Sequence, residues 1–483
     1  MRMRKKSWRA GASGGIGAGT GKGTGAGTRA RGGAITRAAA AGTRARSGAI
    51  TRAGAAGTRA RGGAIAGATL AIIAAVASGA PAAIAAPSRP VNNHPATSRP
   101  GSAATTALAP PPVTILTDKG GNRGGDIFLS PFGDSSTYAN GAEILSPDGK
   151  QVIWFHPAPA GEEDADFRAQ AYDGQPVLTF WQGTGLGGVS AGTDYIYNSH
   201  YQQIATVEAG NGYSADGHEF LITPWNTALI LSYTTATANL TGIGGPADQT
   251  VIDGIVQEIN IKTGKVLFQW DSADHVPYSQ SEQPLPASAS TPWDWFHINA
   301  IKVSTDGTFL VDARDTWTTY DISPRTGKIN WRLGGKDSSF KLKAADGQAL
   351  DDAGEIFAWQ HDVEALGRGI YTVFDNEAAG TGNTGTSVTS ELGYSRAATI
   401  KLNLADHTAT LIASDDQPEG LVAPSQGNAQ LLTGGDEFVG WGALPYFSEF
   451  SPSGQLLFNA EFPTGVNTYR AYRLRWKPGE PRR

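Results

Sequence analysis

The sequence predicts an all-β fold: a six-bladed β-propeller preceded by a disordered basic leader, a signal-like segment and a linker. Three observations carry this. The 483 residues include 63 Gly, 27 Pro and 12 Trp, a composition that suits many short strands joined by tight turns. Two hairpin patterns recur from Val113 onward. They return every 50–70 residues or so, roughly the blade length of a propeller.

Charge divides the chain in two. Residues 1–117 hold 16 Lys and Arg and no acid, whereas the remainder holds 23 basic and 44 acidic residues. A basic leader joined to an acidic body fits this split. An acidic body argues against nucleic acid as a partner, because such proteins present a basic face. The absence of cysteine excludes disulfides, thiolate metal sites and cysteine nucleophiles.

Residues 1–63 form a low-complexity basic leader in which GTRARGGAITRAAAA repeats with a period of 15. The repeats lack the large apolar residues needed for a core and are expected to be disordered. Residues 64–86 are an Ala-rich apolar run ending in small residues. This is the pattern of a signal peptide, with an uncleaved membrane anchor as the alternative. The protein is therefore expected to be secreted or attached to the cell envelope, and to meet a membrane only if that run is retained. Residues 87–112, rich in Pro, Ser, Thr and Ala, suit a flexible linker. Residues 113–477 are the expected propeller.

The first hairpin pattern is a strand, a turn ending in Gly, and a strand carrying an aromatic. It occurs in SPDGKQVIWF (146–155), NIKTGKVLFQW (260–270), SPRTGKINW (323–331) and SPSGQLLF (451–458), and more loosely in NLADHTATLI (403–412). The turn Gly supplies positive φ, and the β-branched and aromatic residues suit a pleated strand. The second pattern leads from a polar turn into a strongly apolar strand, as in PWNTALILSY (224–233), STDGTFLVDARD (304–315), GRGIYTVFDN (367–376) and QGNAQLLTGGD (426–436). Two such hairpins make a four-stranded unit. Four units are visible between Ser214 and Pro463, and residues 113–210 leave room for about two more.

Three of the eight histidines occupy the same place in successive units: His218 in GHEFLI, His297 in DWFHINAIKV and His361 in FAWQHDVEAL. Each stands near the start of a first strand, which in a propeller lines the central channel, so registry gathers them at one end of that channel. Antiparallel pairing returns Arg314 to the rim beside His297, and Asp375 and Asn376 to His361. Asn299, two residues from His297, is expected on the same strand face. Three imidazoles, an amide and a guanidinium suit a tetrahedral anion such as sulfate or phosphate, and histidine can also act as nucleophile or general acid–base. A three-histidine metal site is the competing reading. Arg314 would repel a cation, and Glu219 and Asp362 point to the opposite strand face from their histidine neighbours, so no metal is expected. His94 falls in the linker. His156, His200, His275 and His407 lie outside the register and are expected to be surface or structural. Trp181, Trp293 and Trp295 are expected to pack between sheets. GTGLGG (183–188) and AGTGNTG (379–385) lack the strand-to-helix context of a phosphate loop.

With these residues in view, the chain resembles the bacterial arylsulfotransferases, in the broad branch common among secreted actinobacterial proteins. The resemblance spans roughly residues 113–475. Its most specific parts are H-x-N at His297–Asn299, Arg314, Gln360-His361-Asp362, and WRLGG at 331–335. It implies a six-bladed propeller and a cofactor-independent, ping-pong transfer of a sulfuryl group from an aryl sulfate to a phenol. The family nucleophile falls on His361, its companion histidines on His218 and His297, and the family Asn and Arg on Asn299 and Arg314. The chain departs from the best-understood members in having no cysteine and no separate β-rich domain before residue 113. An aryl sulfate hydrolase using the same pocket, and a non-catalytic ligand-binding propeller, stay open as alternatives. WRLGG reads as a tight turn between blades.

Overall fold

The computed structural model describes residues 108–479, apart from 122–123, 187, 352 and 378–391. The leader, the signal-like segment, His94, most of the linker and the AGTGNTG stretch lie outside the described residues.

Six sheets follow one another along the chain, antiparallel but for two added strands, Trp293–Asp294 and Lys341–Ala344. β1 (Thr114–Asp118) is set apart and pairs far downstream. The first blade takes β2 (Asp126–Phe132), β3 (Gly141–Leu145) and β4 (Val152–Pro157). The second is β5 (Glu163–Tyr172), β6 (Gln175–Thr184), β7 (Ala191–Asn198) and β8 (Gln203–Val207). The third is β9 (Phe220–Ile222), β10 (Thr227–Ala238), β11 (Gln249–Asn260) and β12 (Lys265–Asp271), with β13 (Trp293–Asp294) lying parallel to β11. The fourth is β14 (Ile298–Val303), β15 (Phe309–Ala313), β16 (Thr318–Ile322) and β17 (Ile329–Leu333). β18 (Lys341–Ala344) is an added outer strand on the fifth blade, which is β19 (His361–Gly367), β20 (Ile370–Asp375), β21 (Arg396–Asn403) and β22 (Thr408–Asp416). The sixth is β23 (Asn428–Leu431), β24 (Glu437–Gly440), β25 (Tyr446–Phe450) and β26 (Leu456–Glu461). β27 (Asn467–Leu474) then returns to the first blade as its innermost strand, antiparallel to β2, while β1 pairs with β26 on the outer edge of the sixth. Among the described residues the α-helix content is one turn, Ser272–His275.

The recurring hairpins fall where their chemistry requires. Every member of the first pattern joins the third strand of a blade to the fourth, and every member of the second joins the first strand to the second. WRLGG ends β17 in two left-handed glycines; a Cβ on Gly335 would collide with the Thr316 carbonyl and the Thr318 hydroxyl. Its conformation is that of a tight turn.

Side-chain alternation explains why the inner strands read as unbroken apolar runs. Each blade is covered on both faces by its neighbours, so both sets of alternating residues are buried. Along β2, Ile127 and Leu129 pack with Phe438, Phe447 and Phe458 of the sixth blade, whereas Phe128 packs with Phe167 and Phe180 of the second. Along β10, Leu229 and Leu231 face Ile298, Ile301 and Val311 of the fourth blade, whereas Ala228 and Ile230 face Trp181 and Ile196 of the second. The apolar core is thus spread over the junctions between blades.

The innermost strands carry a belt of buried charge. Lys302 Nζ lies 2.7 Å from Glu219, 2.7 Å from Asp362 and 3.1 Å from Glu364. Arg470 Nη1 lies 3.1 Å from Asp166, 3.0 Å from Glu219 and 3.2 Å from Asp362. Arg168 bonds Asp166 and Glu219 as well. Against the desolvation of burial, Arg470, Lys302 and Arg168 together hold the Glu219 carboxyl far below the usual carboxylate range. Glu219 and Asp362, the chain neighbours of His218 and His361, therefore belong to this belt.

Candidate active site at one end of the propeller axis

The three registered histidines meet just before or at the start of their inner strands. His361 opens β19, His297 immediately precedes β14, and His218 stands two residues ahead of β9. The rings of His218 and His297 are perpendicular, with centroids 5.1 Å apart. Arg314, Asn376, His218 and His297 all act electrostatically or by hydrogen bonding on His361. Arg314 comes back beside His297, its backbone N–H donating to the His297 carbonyl at 3.0 Å. Its guanidinium stands 4.8 Å over the Trp359 ring and donates to Asp315 at 2.8 Å.

The local backbone here is unusual. His297, Trp359, Asp362 and Gln426 have φ of 50°, 58°, 55° and 65°, a left-handed conformation uncommon outside glycine. Ladder irregularities fall at the same level, between Ile298 and Ala300 and between His361 and Glu364. Bulges of this kind re-aim side chains at strand ends. The irregularity also breaks the simple alternation that placed Asn299 on the face of His297. Asn299 instead reaches the next blade, donating from Nδ2 to the carbonyl of Gln360 at 2.7 Å. It ties β14 to the residue directly before His361.

Each imidazole has its own partner on Nδ1. For His218 it is Asp216, at 2.5 Å. For His297 it is Asp294, at 2.6 Å. For His361 it is the amide oxygen of Asn376, at 2.7 Å, while the backbone N–H of Gln426 donates to Nε2 at 3.1 Å. The electrostatic result divides them. Burial, reinforced by the charges of Arg314, His218 and His297, pushes the His361 imidazole well below its ordinary value. His297 goes the other way: burial alone would lower it, but Asp294 and then Asp315 raise it. The Asp216 carboxyl is held below the usual range despite its burial, by His218 and then Ser190. The cluster thus sets an imidazole whose cation is disfavoured beside one whose cation its carboxylate neighbours favour, and a guanidinium.

His218 and His361 are each 1% exposed and His297 is 9% exposed, so the cluster is closed to bulk solvent in this conformation. Asp294, His297 and Asp315 bring ligand-type atoms within 4.8 Å of one another. That trio is cross-linked internally, with Asp315 on Arg314 and Asp294 on His297 Nδ1, and the guanidinium among them disfavours a cation.

The remaining candidates lie apart from the cluster. His275 stacks on Trp270 at 5.0 Å, His156 sits among Trp154, Phe180 and Tyr197, and His200 and His407 are exposed. Trp181, Trp293 and Trp295 are buried, with their indole N–H groups on Ala215, Gln283 and Asp253. Asp216, Asp294 and the Gln426 N–H are absent from the site expected on sequence grounds. The first two left a signal in the text, an acid two residues before His218 and three before His297; the third is a main-chain group and left none.

Fold and site together define a six-bladed propeller with three imidazoles and a guanidinium gathered where its inner strands begin. The chain belongs to the arylsulfotransferase (ASST) family, whose family model matches residues 168–463. That span includes His218, His297, Asn299, Arg314 and His361. No curated protein matches the chain. Solved structures with some likeness include a protein of unknown function from Bacteroides caccae, with 13% identity, a TM-score of 0.41, and coverage of 72% of this chain and 98% of that one. A protein from Lactobacillus plantarum gives 12%, 0.33, 72% and 99%, and the β-propeller domain of Myceliophteria thermophila Cps50 (Swd1) gives 11%, 0.35, 72% and 89%, in the same order. Likenesses this remote do not bear on function.

Proposed function

We propose that the protein moves a sulfuryl group from a phenolic sulfate ester to a phenol through a sulfohistidine on His361, without a cofactor. The observation that carries this reading is the division among the three imidazoles: His361 is favoured neutral, with its reactive nitrogen unprotonated, and cationic or hydrogen-bonding groups surround it. A neutral imidazole has the lone pair that attack on sulfur requires.

In the first half-reaction His361 Nε2 forms a bond to sulfur as the sulfur–oxygen ester bond breaks. The aryl oxygen leaves with the electron pair. His297, whose cation Asp294 favours, gives that oxygen a proton. Arg314, His218 and the second amide hydrogen of Asn299 serve the sulfuryl oxygens, where charge concentrates. Fixed donors in a site closed to water are the main expected source of acceleration. In the second half a phenol gives its proton to His297, now neutral, and takes the sulfuryl group from His361. Placement in the secreted actinobacterial branch, and export by the segment at 64–86, belong to the same reading.

The test uses 4-nitrophenyl sulfate with and without phenol. Nitrophenol release should depend on phenol and should vanish in His361→Ala, while Arg314→Ala should slow turnover by about 10²–10³-fold. Wild-type turnover by folded His361→Ala would refute the nucleophile. Release that is independent of phenol would turn the reading to ester hydrolysis.

A further inference from the structure

We infer that Asn376 is a positioning residue with two tasks: it fixes which nitrogen of His361 attacks, and it leaves the ring charged once that ring carries the sulfuryl group. The second task rests on His361 being the nucleophile; the first does not.

The first task follows from hydrogen-bond accounting. Asn376 stands immediately after β20, facing the start of β19. Its Nδ2 donates to two carbonyls, Ala423 at 3.1 Å and Gln426 at 3.0 Å. Carbonyls only accept, so the amide cannot be flipped without setting oxygen against two oxygens. Oδ1 must therefore face His361, and Nδ1, 2.7 Å away, must carry the proton. The opposite edge of the ring gives the same answer independently. The Gln426 N–H, 3.1 Å from Nε2, can only donate, so Nε2 presents its lone pair. Asn376 holds two carbonyls of the segment whose N–H caps Nε2, so one buried amide orients the ring and the backbone group lying over its reactive atom. That N–H must give way when sulfur arrives.

The second task follows from what an amide cannot do. His218 and His297 have carboxylates on Nδ1, whereas His361 has a neutral oxygen. When Nε2 binds sulfur and the aryl oxygen departs with its electron pair, the ring keeps the Nδ1 proton and becomes cationic. The amide oxygen does not remove that proton, nor does it neutralise the ring. A cationic imidazole is a good leaving group, so the nitrogen–sulfur bond stays ready to pass its sulfuryl group to the phenol oxygen. The bonding pair then returns to Nε2. A carboxylate at 376 would stabilise or deprotonate the charged ring and trap the intermediate.

Two measurements on the full chain test this. With ¹⁵N-labelled histidine, the ring signals that disappear in His361→Ala should report the neutral Nδ1–H tautomer at neutral pH and on below the ordinary imidazole range, since burial lowers this pKa. An Nε2–H tautomer, or an imidazolium at neutral pH, overturns the proposal whatever the enzyme's substrate. Kinetically, Asn376→Asp should give a burst of one nitrophenol per protein, then slow turnover, with the sulfuryl adduct lasting about tenfold longer or more by intact mass, the effect of roughly one pKa unit. Asn376→Ala should lose the fixed tautomer and about 10²-fold in kcat with KM little changed. A variant that keeps both the tautomer and the wild-type adduct lifetime sinks the idea. If neither variant folds, the wild-type spectrum alone decides the tautomer. Full activity in His361→Ala, with the expected tautomer still seen, would count against the nucleophile and spare the first task.

Discussion

His218, His297 and His361 are one side chain placed at one end of three inner strands, and the neighbour on Nδ1 sets His361, on an amide, apart from the other two, on carboxylates. The trio is legible in the sequence because repeat registry is periodic, and hairpin geometry returns Asn376 to the vicinity of His361. The sequence could not say that the Asn376 oxygen, rather than its nitrogen, faces the ring, because that depends on two carbonyls 47 and 50 residues away. Nor could it see that a ladder irregularity sends Asn299 toward Gln360. The role of Asp294 gives a prediction at this scale. Asp294 raises the His297 pKa, so His297 stays protonated to higher pH than a free imidazole. Asp294→Asn keeps an acceptor for Nδ1–H but removes the charge, so the loss of rate on the alkaline side should move to lower pH. At neutral pH, kcat/KM for unsubstituted phenyl sulfate, whose leaving oxygen needs a proton, should fall by about 10²-fold. For 4-nitrophenyl sulfate it should fall far less. Equal losses for both donors would remove His297 from proton transfer.

Among the elements, the hairpins were the most legible, since turn chemistry and strand apolarity are local properties. The supplementary strands were not. β1, β13 and β18 are short, ordinary in composition, and defined by pairing with distant segments. Buried charge within strands was equally opaque. Glu143, in the middle of β3, has neither carboxyl oxygen hydrogen-bonded, and burial pushes its pKa up to about 8. An unfolded Glu ionises near 4.5. Between those values the folded protein binds the additional proton, so this residue lowers stability as pH rises, by up to about 1.4 kcal/mol per pH unit. Glu143→Gln should therefore melt higher than the wild type at pH 8, with the difference shrinking toward pH 5. A melting difference that does not change with pH would show that Glu143 is ionised in the fold.

For the whole molecule, blade number was legible because each unit repeats, but the mode of closure was not. The ring is fastened at one seam by two segments: β27 completes the first blade on the inside, and β1 caps the sixth on the outside. They are not equivalent. β27 brings Arg470 into the charged belt, and the Tyr469 hydroxyl donates to the His218 carbonyl at 3.0 Å. β1 adds an outer edge with alternating exposed and half-buried residues. A chain ending before Asn467 should lose both activity and cooperative unfolding. Removal of residues 108–118 should lower the melting temperature by several degrees and leave kcat within a few-fold, since that edge is remote from the histidines. Activity surviving the loss of β27 would mean that the ring can close without it.

This seam also bears on how the protein comes into being. A ribosome delivers His218, His297, Asn299, Arg314 and His361 long before β27, so nearly the whole histidine cluster exists on the nascent chain while the ring is still an open arc. Tyr469 and Arg470 arrive almost last, and they buttress His218 and Glu219 from a blade whose other strands were made first. Birth order and spatial order are thus set against each other, and the cluster lacks its last supports in every copy that is interrupted or clipped near its end.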